Sequence, residues 1–410
     1  MHIKNIYNAY KVTSKLLKDT PLEYCERLSN IYQNNIYLKR EDLQLTRSFK
    51  IRGAYNKISN LVNKSDIRNV ITASAGNHAQ GVAYVCNKLN LSGTIVLPLK
   101  TTTQKINRIK YLGKDNIKIE LYGKTVDDSL EKATELSNKD NIFIPPFDDE
   151  CVISGQGTIA HEIYKEINPD MIFVPIGGGG LISGISLYSK CTNKNCKIIG
   201  TEPENCQSMK NSLLKDKVIK LENISNFVDG ASVSRVGNIN FDITKKYVDD
   251  IISINDGLLC NDILSLYQNE GIIVEPAGAL SISGLKYLYK HNIKNKNIVC
   301  IISGGNNDVS RYNDFIEKNL NYLGLKHYFI IDFSQKSGEL KTFVNKILNE
   351  TDDIVRFEYI KKTNNNYGKV LVGIEIINKK DINNIIFKLN KYNYTFEKLN
   401  ISNPIYNYLI

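Results

Sequence analysis

From residue 70 to residue 303 the chain repeats one phrase: a short apolar run, a cluster of Gly, Ser or Asn, then apolar residues at helical spacing. Val70–Ser74 breaks at Ala75-Gly76-Asn77 and continues through Ala79, Val82, Ala83 and Cys86. Thr94–Pro98 leads to Ile106, Ile109 and Leu112, and Ile117–Leu121 leads to Val126, Leu130 and Ala133, before Ile142–Pro145 closes the set. The phrase resumes with Ile159 and Ile163, then Met171–Pro175, Gly177-Gly178-Gly179-Gly180 and a helix from Leu181. Ile198-Ile199-Gly200, Ile251–Ile254, a helix through Leu258 and Leu266, a helix from Ala277 and Val299–Ser303 complete it. Such alternation buries strands on both faces, which predicts an α/β fold with mostly parallel sheets. Open sheets of this kind place ligands at the carboxyl ends of their strands, where these Gly/Ser/Asn clusters fall.

The grammar changes beyond about residue 322. Tyr328–Phe333 reads as a strand, Leu340–Leu348 as a helix and Ile354–Tyr359 as a strand; a turn at Asn364–Gly368, the strand Val370–Ile376 and the helix Ile382–Leu389 follow. This order predicts a separate ferredoxin-like α+β domain with an antiparallel sheet, its boundary near 321–326. Residues 1–45 read as a lead-in, with a turn at Thr20-Pro21-Leu22 and a short strand over Ile36–Glu41.

The net charge of +10 comes from lysines spread among Asn and Ile rather than gathered in a stripe, which argues against nucleic-acid binding. The eight cysteines include no Cys-x-x-Cys pair, and several sit in apolar runs such as Val299-Cys300-Ile301, so buried reduced thiols are expected. No apolar run reaches membrane-spanning length and the first residues lack a signal-peptide core. The expected compartment is the cytoplasm.

Chemistry concentrates in four places. Lys50, in Ser48-Phe49-Lys50-Ile51-Arg52-Gly53-Ala54, precedes apolar residues at Ile51, Ala54, Tyr55, Ile58 and Val62, so it lies at a helix N-terminus. The helix dipole disfavours a cation there, and burial beside Phe49 would lower the amine's pKa further, which suits imine and proton-transfer chemistry. Taken alone, Lys50 is better read as an exposed surface lysine on a loop, because lysines are so commonly exposed; the rest of the chain has to overturn that reading. The Gly177–Gly180 run joins a strand to a helix and can present converging amides to a phosphate; it is neither a P-loop nor a spaced dinucleotide fingerprint. Ser74-Ala75-Gly76-Asn77-His78 offers a hydroxyl and amides to a carboxylate, with Asn77 able to donate to a ligand oxygen. Ser303, at the end of an apolar strand, adds a hydroxyl. One amine, one phosphate cradle, one anion-holding turn and one hydroxyl at separate strand ends suit a phosphorylated carbonyl cofactor held by a lysine, namely pyridoxal 5'-phosphate.

With Val228-Asp229-Gly230-Ala231, Glu275-Pro276-Ala277-Gly278-Ala279, Phe147-Asp148-Asp149 and Gly155-Gln156-Gly157-Thr158 added in order, the chain resembles the fold-type II pyridoxal-phosphate enzymes over nearly its whole length. It is most similar to the biosynthetic threonine dehydratases. The tail, with Tyr328-Phe329-Ile330, Arg356-Phe357-Glu358-Tyr359 and Leu371-Val372-Gly373-Ile374-Glu375, is similar to the single ACT-like regulatory domain of their shorter form. The resemblance implies a catalytic domain over 1–322, with a small mobile subdomain over about 46–150 inserted in it, a regulatory domain over 326–401 and a tail over 402–410. It implies that Lys50 carries the cofactor and takes the Cα proton, and that Asn77 meets the cofactor's phenolic oxygen. Gly177, Gly178, Gly179, Gly180 and Leu181 would hold its phosphate and Ser303 its pyridine nitrogen. Ser74, Ala75, Gly76, Asn77 and His78 would hold the substrate carboxylate. The implied reaction converts L-threonine to 2-oxobutanoate and ammonia, opening isoleucine synthesis, in a homotetramer inhibited by isoleucine, with valine as a second effector. The alternative is a catabolic serine/threonine dehydratase of the same fold. Related serine racemases and dehydratases hold a divalent cation near the position of Glu202; here Glu202-Pro203-Glu204 lacks the second acid, so no metal is expected.

Overall fold

The computed structural model describes residues 1–64, 67–359 and 366–400, together with Asn403 and Tyr406. The chain divides into two compact units, Met1–Asn307 and Asp308–Ile410. The division falls ahead of the boundary expected near 321–326, because helix Tyr312–Leu323 goes with the second unit.

In the first unit the strands run in chain order as β1 (Leu22–Tyr24), β2 (Asn35–Arg40), β3 (Asn69–Ala73), β4 (Ser92–Leu97), β5 (Ile117–Leu121), β6 (Asn141–Phe143), β7 (Met171–Pro175), β8 (Lys197–Pro203), β9 (Asp250–Ile254) and β10 (Asn297–Ile302). They form two sheets: a larger one ordered β1-β2-β10-β7-β8-β9 and a smaller one ordered β5-β4-β3-β6. The small sheet is parallel throughout, as is the larger apart from its antiparallel edge strand β1. β2 pairs with β10 although some 260 residues separate them, so the chain leaves the larger sheet after β2, builds the small sheet and returns at β7. The strands of the small sheet, β3 to β6, lie within the insertion expected over about 46–150, while helix Glu150–Glu166, also part of the excursion, lies beyond it.

The apolar phrase explains the burial. β7 is buried at every residue, as a strand covered on both faces must be. Its core joins Ile172 and Val174 to Ile182 and Ile185 of helix Gly180–Thr192, Ile153 and Ile159 of helix Glu150–Glu166, and Ile198 of β8. Helix Ile3–Thr13 buries Ile6 in the same core. The lead-in is therefore more structured than expected, containing this helix and Glu26–Tyr32.

The second unit, taken by itself, has β11 (Lys326–Ser334), β12 (Asp353–Tyr359), β13 (Tyr367–Glu375) and β14 (Phe396–Leu399) in an antiparallel sheet ordered β12-β13-β11-β14. Helices Glu339–Ile347 and Asp381–Lys391 pack Phe343, Ile347, Ile382, Ile385 and Leu389 onto Phe329, Ile331, Phe333, Val370, Val372 and Ile374. β14 completes a β-α-β-β-α-β order, one strand beyond the expected pattern. The turn expected at Asn364–Gly368 begins outside the described residues, as do most of residues 402–410. Among the described residues no helix is long and apolar enough to cross a membrane.

Candidate active site

Lys50 opens helix Lys50–Val62. The segment before it is fastened to the end of β10: Ser48 bridges Gly304, and the Phe49 N–H donates to the Ser303 carbonyl at 3.2 Å. Lys50 therefore projects where β10 ends. Its Nζ donates to the Pro146 carbonyl at 2.8 Å and stands 5.3 Å and 5.9 Å from the ring centroids of Phe49 and Phe147. The side chain is half-exposed to the cleft, but its amine lies deep. Burial lowers its pKa to about 8, against an opposing pull from Glu275. An amine that is substantially neutral near physiological pH can act as a nucleophile and a base.

The Gly177–Gly180 turn packs against Phe147. A Cβ at Gly178 would fall 2.2 Å from the Phe147 ring, and one at Gly180 would fall 3.1 Å from the Phe147 Cβ. Gly179 has φ +96°, a left-handed conformation that a side chain would strain. The Gly178 carbonyl is occupied by the Gly237 N–H and by Asn240 Nδ2, both at 3.1 Å, which turns the loop's amides the other way. Helix Gly180–Thr192 follows with no acidic residue in its first turn, leaving its positive end available to an anion. The neighbouring residues share several tasks. Asp148 accepts from the Asn238 and Ile239 amides at 2.9 Å and 3.0 Å, capping helix Asn238–Tyr247. Asp149 caps helix Glu150–Glu166 through the Cys151 and Val152 amides and pairs with Lys57 at 2.6 Å.

On the small-sheet side, Ser74 Oγ accepts from the Gly76 N–H at 3.2 Å, and a Cβ at Gly76 would meet nothing within 4 Å, so this turn borders open space. Asn77 begins helix Asn77–Leu89. Asn306 Nδ2 donates to the Thr46 carbonyl and to Asn77 Oδ1, both at 2.8 Å, and Asn77 Nδ2 donates to Glu275 Oε1 at 2.7 Å. The His78 ring departs from the other turn residues: it is buried, with Nε2 3.0 Å from the Ile144 carbonyl, and burial together with Lys50 lowers its pKa to about 3. What His78 can offer the cleft is its backbone amide. Ser303 is buried, its hydroxyl 3.3 Å from the Ala277 carbonyl. Glu202 accepts from the Met209 and Lys210 amides at 2.8 Å and 2.9 Å, so its carboxylate is committed to a helix end. Among the described residues no three His, Cys, Asp or Glu side chains form a metal-ligating group.

Two features are not evident from the sequence motifs. Phe147, quoted there only within a tripeptide, links Lys50 to the glycine turn. Two residues beyond Lys50, Arg52 lies in a dry cluster with Glu41, Glu162 and Lys39. Arg52 Nε donates to Glu41 at 2.7 Å, its NH2 nitrogen donates to both carboxylates, and Lys39 Nζ pairs with Glu162 at 2.7 Å. Two cations and two carboxylates balance. Despite burial, Glu41 and Glu162 hold the guanidinium well above its usual range. The cluster ties the lysine's helix to β2, to the segment before β1 through Thr20, and to helix Glu150–Glu166.

An amine, an anion cradle and a buried hydroxyl thus meet at one group of strand ends. Residues 13–304 match the pyridoxal-phosphate dependent enzyme family. The chain belongs to the pyridoxal-phosphate-dependent enzymes. In this family it stands with the biosynthetic threonine dehydratases, and residues 317–409 match the C-terminal regulatory domain of threonine dehydratase. The L-threonine dehydratase biosynthetic IlvA of Halalkalibacterium halodurans is 45% identical over 413 residues, covering 100% of this chain and 99% of that protein. The processed form of threonine deaminase isoform 2 from Solanum lycopersicum superposes with a TM-score of 0.73 at 41% identity, covering 77% of this chain and 92% of that one. Maize serine racemase superposes with a TM-score of 0.72 at 26% identity, covering 78% and 98%. The family's cofactor fits the residues present. The cradle has no room for side chains at Gly178 and Gly180, it opens onto a helix N-terminus, and the amine stands 5.9 Å from the ring of Phe147, against which the cradle packs.

Proposed function

We propose that this chain is an L-threonine ammonia-lyase that holds pyridoxal 5'-phosphate on Lys50 and converts L-threonine to 2-oxobutanoate and ammonia. The observation that carries this reading is that the Lys50 amine and the glycine cradle both adjoin Phe147, in a chain matched end to end by a biosynthetic threonine dehydratase. Gly177, Gly178, Gly179, Gly180 and Leu181 hold the phosphate, Asn77 the phenolic oxygen and Ser303 the pyridine nitrogen. When bound, the cofactor supplies electron withdrawal from the substrate's Cα. Ser74 and the amides of Ala75, Gly76, Asn77 and His78 grip the substrate carboxylate. Lys50, neutral often enough at pH 8 to serve as a base, takes the Cα proton. At the pyridine nitrogen, Ser303 would offer a neutral hydroxyl rather than a carboxylate, which would keep the ring a weaker electron sink and suit elimination of the β-hydroxyl.

The regulatory-domain match over residues 317–409 supports feedback control; isoleucine as inhibitor, valine as a second effector and a cytoplasmic homotetramer as the working form are part of the proposal and rest on the family resemblance. A keto-acid assay on threonine and serine, titrated with isoleucine, tests the reading. Turnover of threonine that falls with isoleucine is expected. Equal turnover of serine with no response to branched-chain amino acids would favour the catabolic dehydratase.

A further inference from the structure

Glu275 is the N-cap of helix Pro276–Ser283, where an acidic side chain ordinarily accepts its own helix's amides. It makes no such cap. Its Oε1 instead accepts from Asn77 Nδ2 at 2.7 Å, on the opposite side of the cleft. Two glycines make room for it: a Cβ at Gly304 would lie 2.5 Å from Oε1, and one at Gly230 would lie 3.4 Å away. Its backbone N–H is fixed by the Gly304 carbonyl at 3.1 Å, next to Ser303.

These contacts leave the Asn77 amide no choice of orientation. Asn306 already spends both of its N–H bonds, on Thr46 and on Asn77 Oδ1, so Asn77 must present its NH2 edge to Glu275. One N–H of that NH2 remains for the cleft. We propose that Glu275 is a positioning residue for the reaction: with the orientation of Asn77 set by Asn306, Glu275 holds the NH2 edge of Asn77 in place, and its protonation state sets how strongly that edge donates to the cofactor. An ionised Glu275 polarises the NH2 group and draws it back; a neutral one lets it lean into the cleft. The inference rests on the reading that Lys50 and Asn77 hold the cofactor.

The surroundings let this proton move in the working range. Burial, and then Asp229, raise the Glu275 pKa to about 8, while Asn77, Lys105 and the Asn306 amide oppose them. Lys105 pairs with Asp229 at 2.9 Å, Lys50 is a further charged neighbour, and among the described residues no cation forms a salt bridge with Glu275.

The test compares purified holoenzyme of the wild type, Glu275→Gln and Glu275→Asp, recording the visible absorption of the bound cofactor and kcat and KM from pH 6 to 9.5. The wild type is expected to show a spectral transition near pH 8 that Glu275→Gln lacks, with kcat down about tenfold and KM changed less than about threefold. Glu275→Asp, shorter by one methylene, should regain a transition at a displaced pH, which a role in packing alone would not produce. If Glu275→Gln titrates and turns over like the wild type, the role of Glu275 is overturned. A visible band that survives in Lys50→Ala would instead overturn the site reading on which the inference rests.

Discussion

Lys50 and Arg52 lie two residues apart on one helix, yet Lys50 Nζ meets a single carbonyl while Arg52 is gripped by the carboxylates of Glu41 and Glu162. The contrast divides labour along one turn of helix. Arg52 holds the backbone still, so the amine of Lys50 can remain without a counter-ion in hydrogen-bonding contact.

Removing one member of the Arg52 cluster leaves an uncompensated buried charge. Arg52→Ala is expected to destabilise the protein by about 3–5 kcal/mol, read as a shift in urea midpoint. Arg52→Lys should recover little of it, because an ammonium cannot bridge two carboxylates in a fixed fork.

Lys50→Ala is expected to abolish activity and the visible band while raising stability. The amine's pKa falls from 10.5 in the unfolded chain to about 8 in the fold, so below pH 8 folding buries a charge at a cost of about 3 kcal/mol. Urea unfolding of the cofactor-free proteins at pH 7 checks this; an equal or lower midpoint for the variant would refute it.

Glu275 makes stability depend on pH in a defined window. Its carboxyl titrates at 4.5 unfolded and about 8 folded. Between these values the unfolded chain has released a proton that the folded chain still binds, so stability falls as pH rises. Lys50 contributes nothing there, being protonated in both states, and adds stability only as pH climbs from about 8 toward 10.5. His78 and His327, whose folded pKa values lie below 6.5, add stability as pH rises toward 6.5 in wild type and variant alike. The Glu275 contribution is therefore read as a difference: between pH 5 and pH 8 cofactor-free wild type should lose stability relative to Glu275→Gln.

Gly178→Ala would drive a methyl into the Phe147 ring, and Gly179→Ala would place a side chain at φ +96° against Met209 and Asn240. Both variants should weaken cofactor binding at least about tenfold, equivalent to about 1.4 kcal/mol, measured by equilibrium dialysis.

The strands were readable where turn residues bound them: Ile117–Leu121 and Met171–Pro175 fall at the expected residues. The first helix was not, because His2 provides no side-chain cap and the segment carries no turn signal. The placement of Lys50 at a helix start, of the glycine run between a strand and a helix, and of Ser303 just past a strand was legible, because such turns announce themselves locally. Glu275 was not, since its partner Asn77 lies 198 positions away and an acid before Pro276 looks like an ordinary helix cap. The Arg52 cluster was invisible for the same reason. Lys39, Glu41, Arg52 and Glu162 resemble any surface charges until the fold removes their water.

Phe147, Asp148 and Asp149 bring a ring, a cap for one helix and a cap for another onto three consecutive residues. A connecting loop is normally where a chain can gain or lose a residue. Here a single insertion would misalign all three attachments at once, and a deletion would remove one outright. The spacing of this tripeptide is thus constrained more tightly than its identity. A scan of one-residue insertions should find 147–149 intolerant, while the exposed turn at Gly338 accepts them.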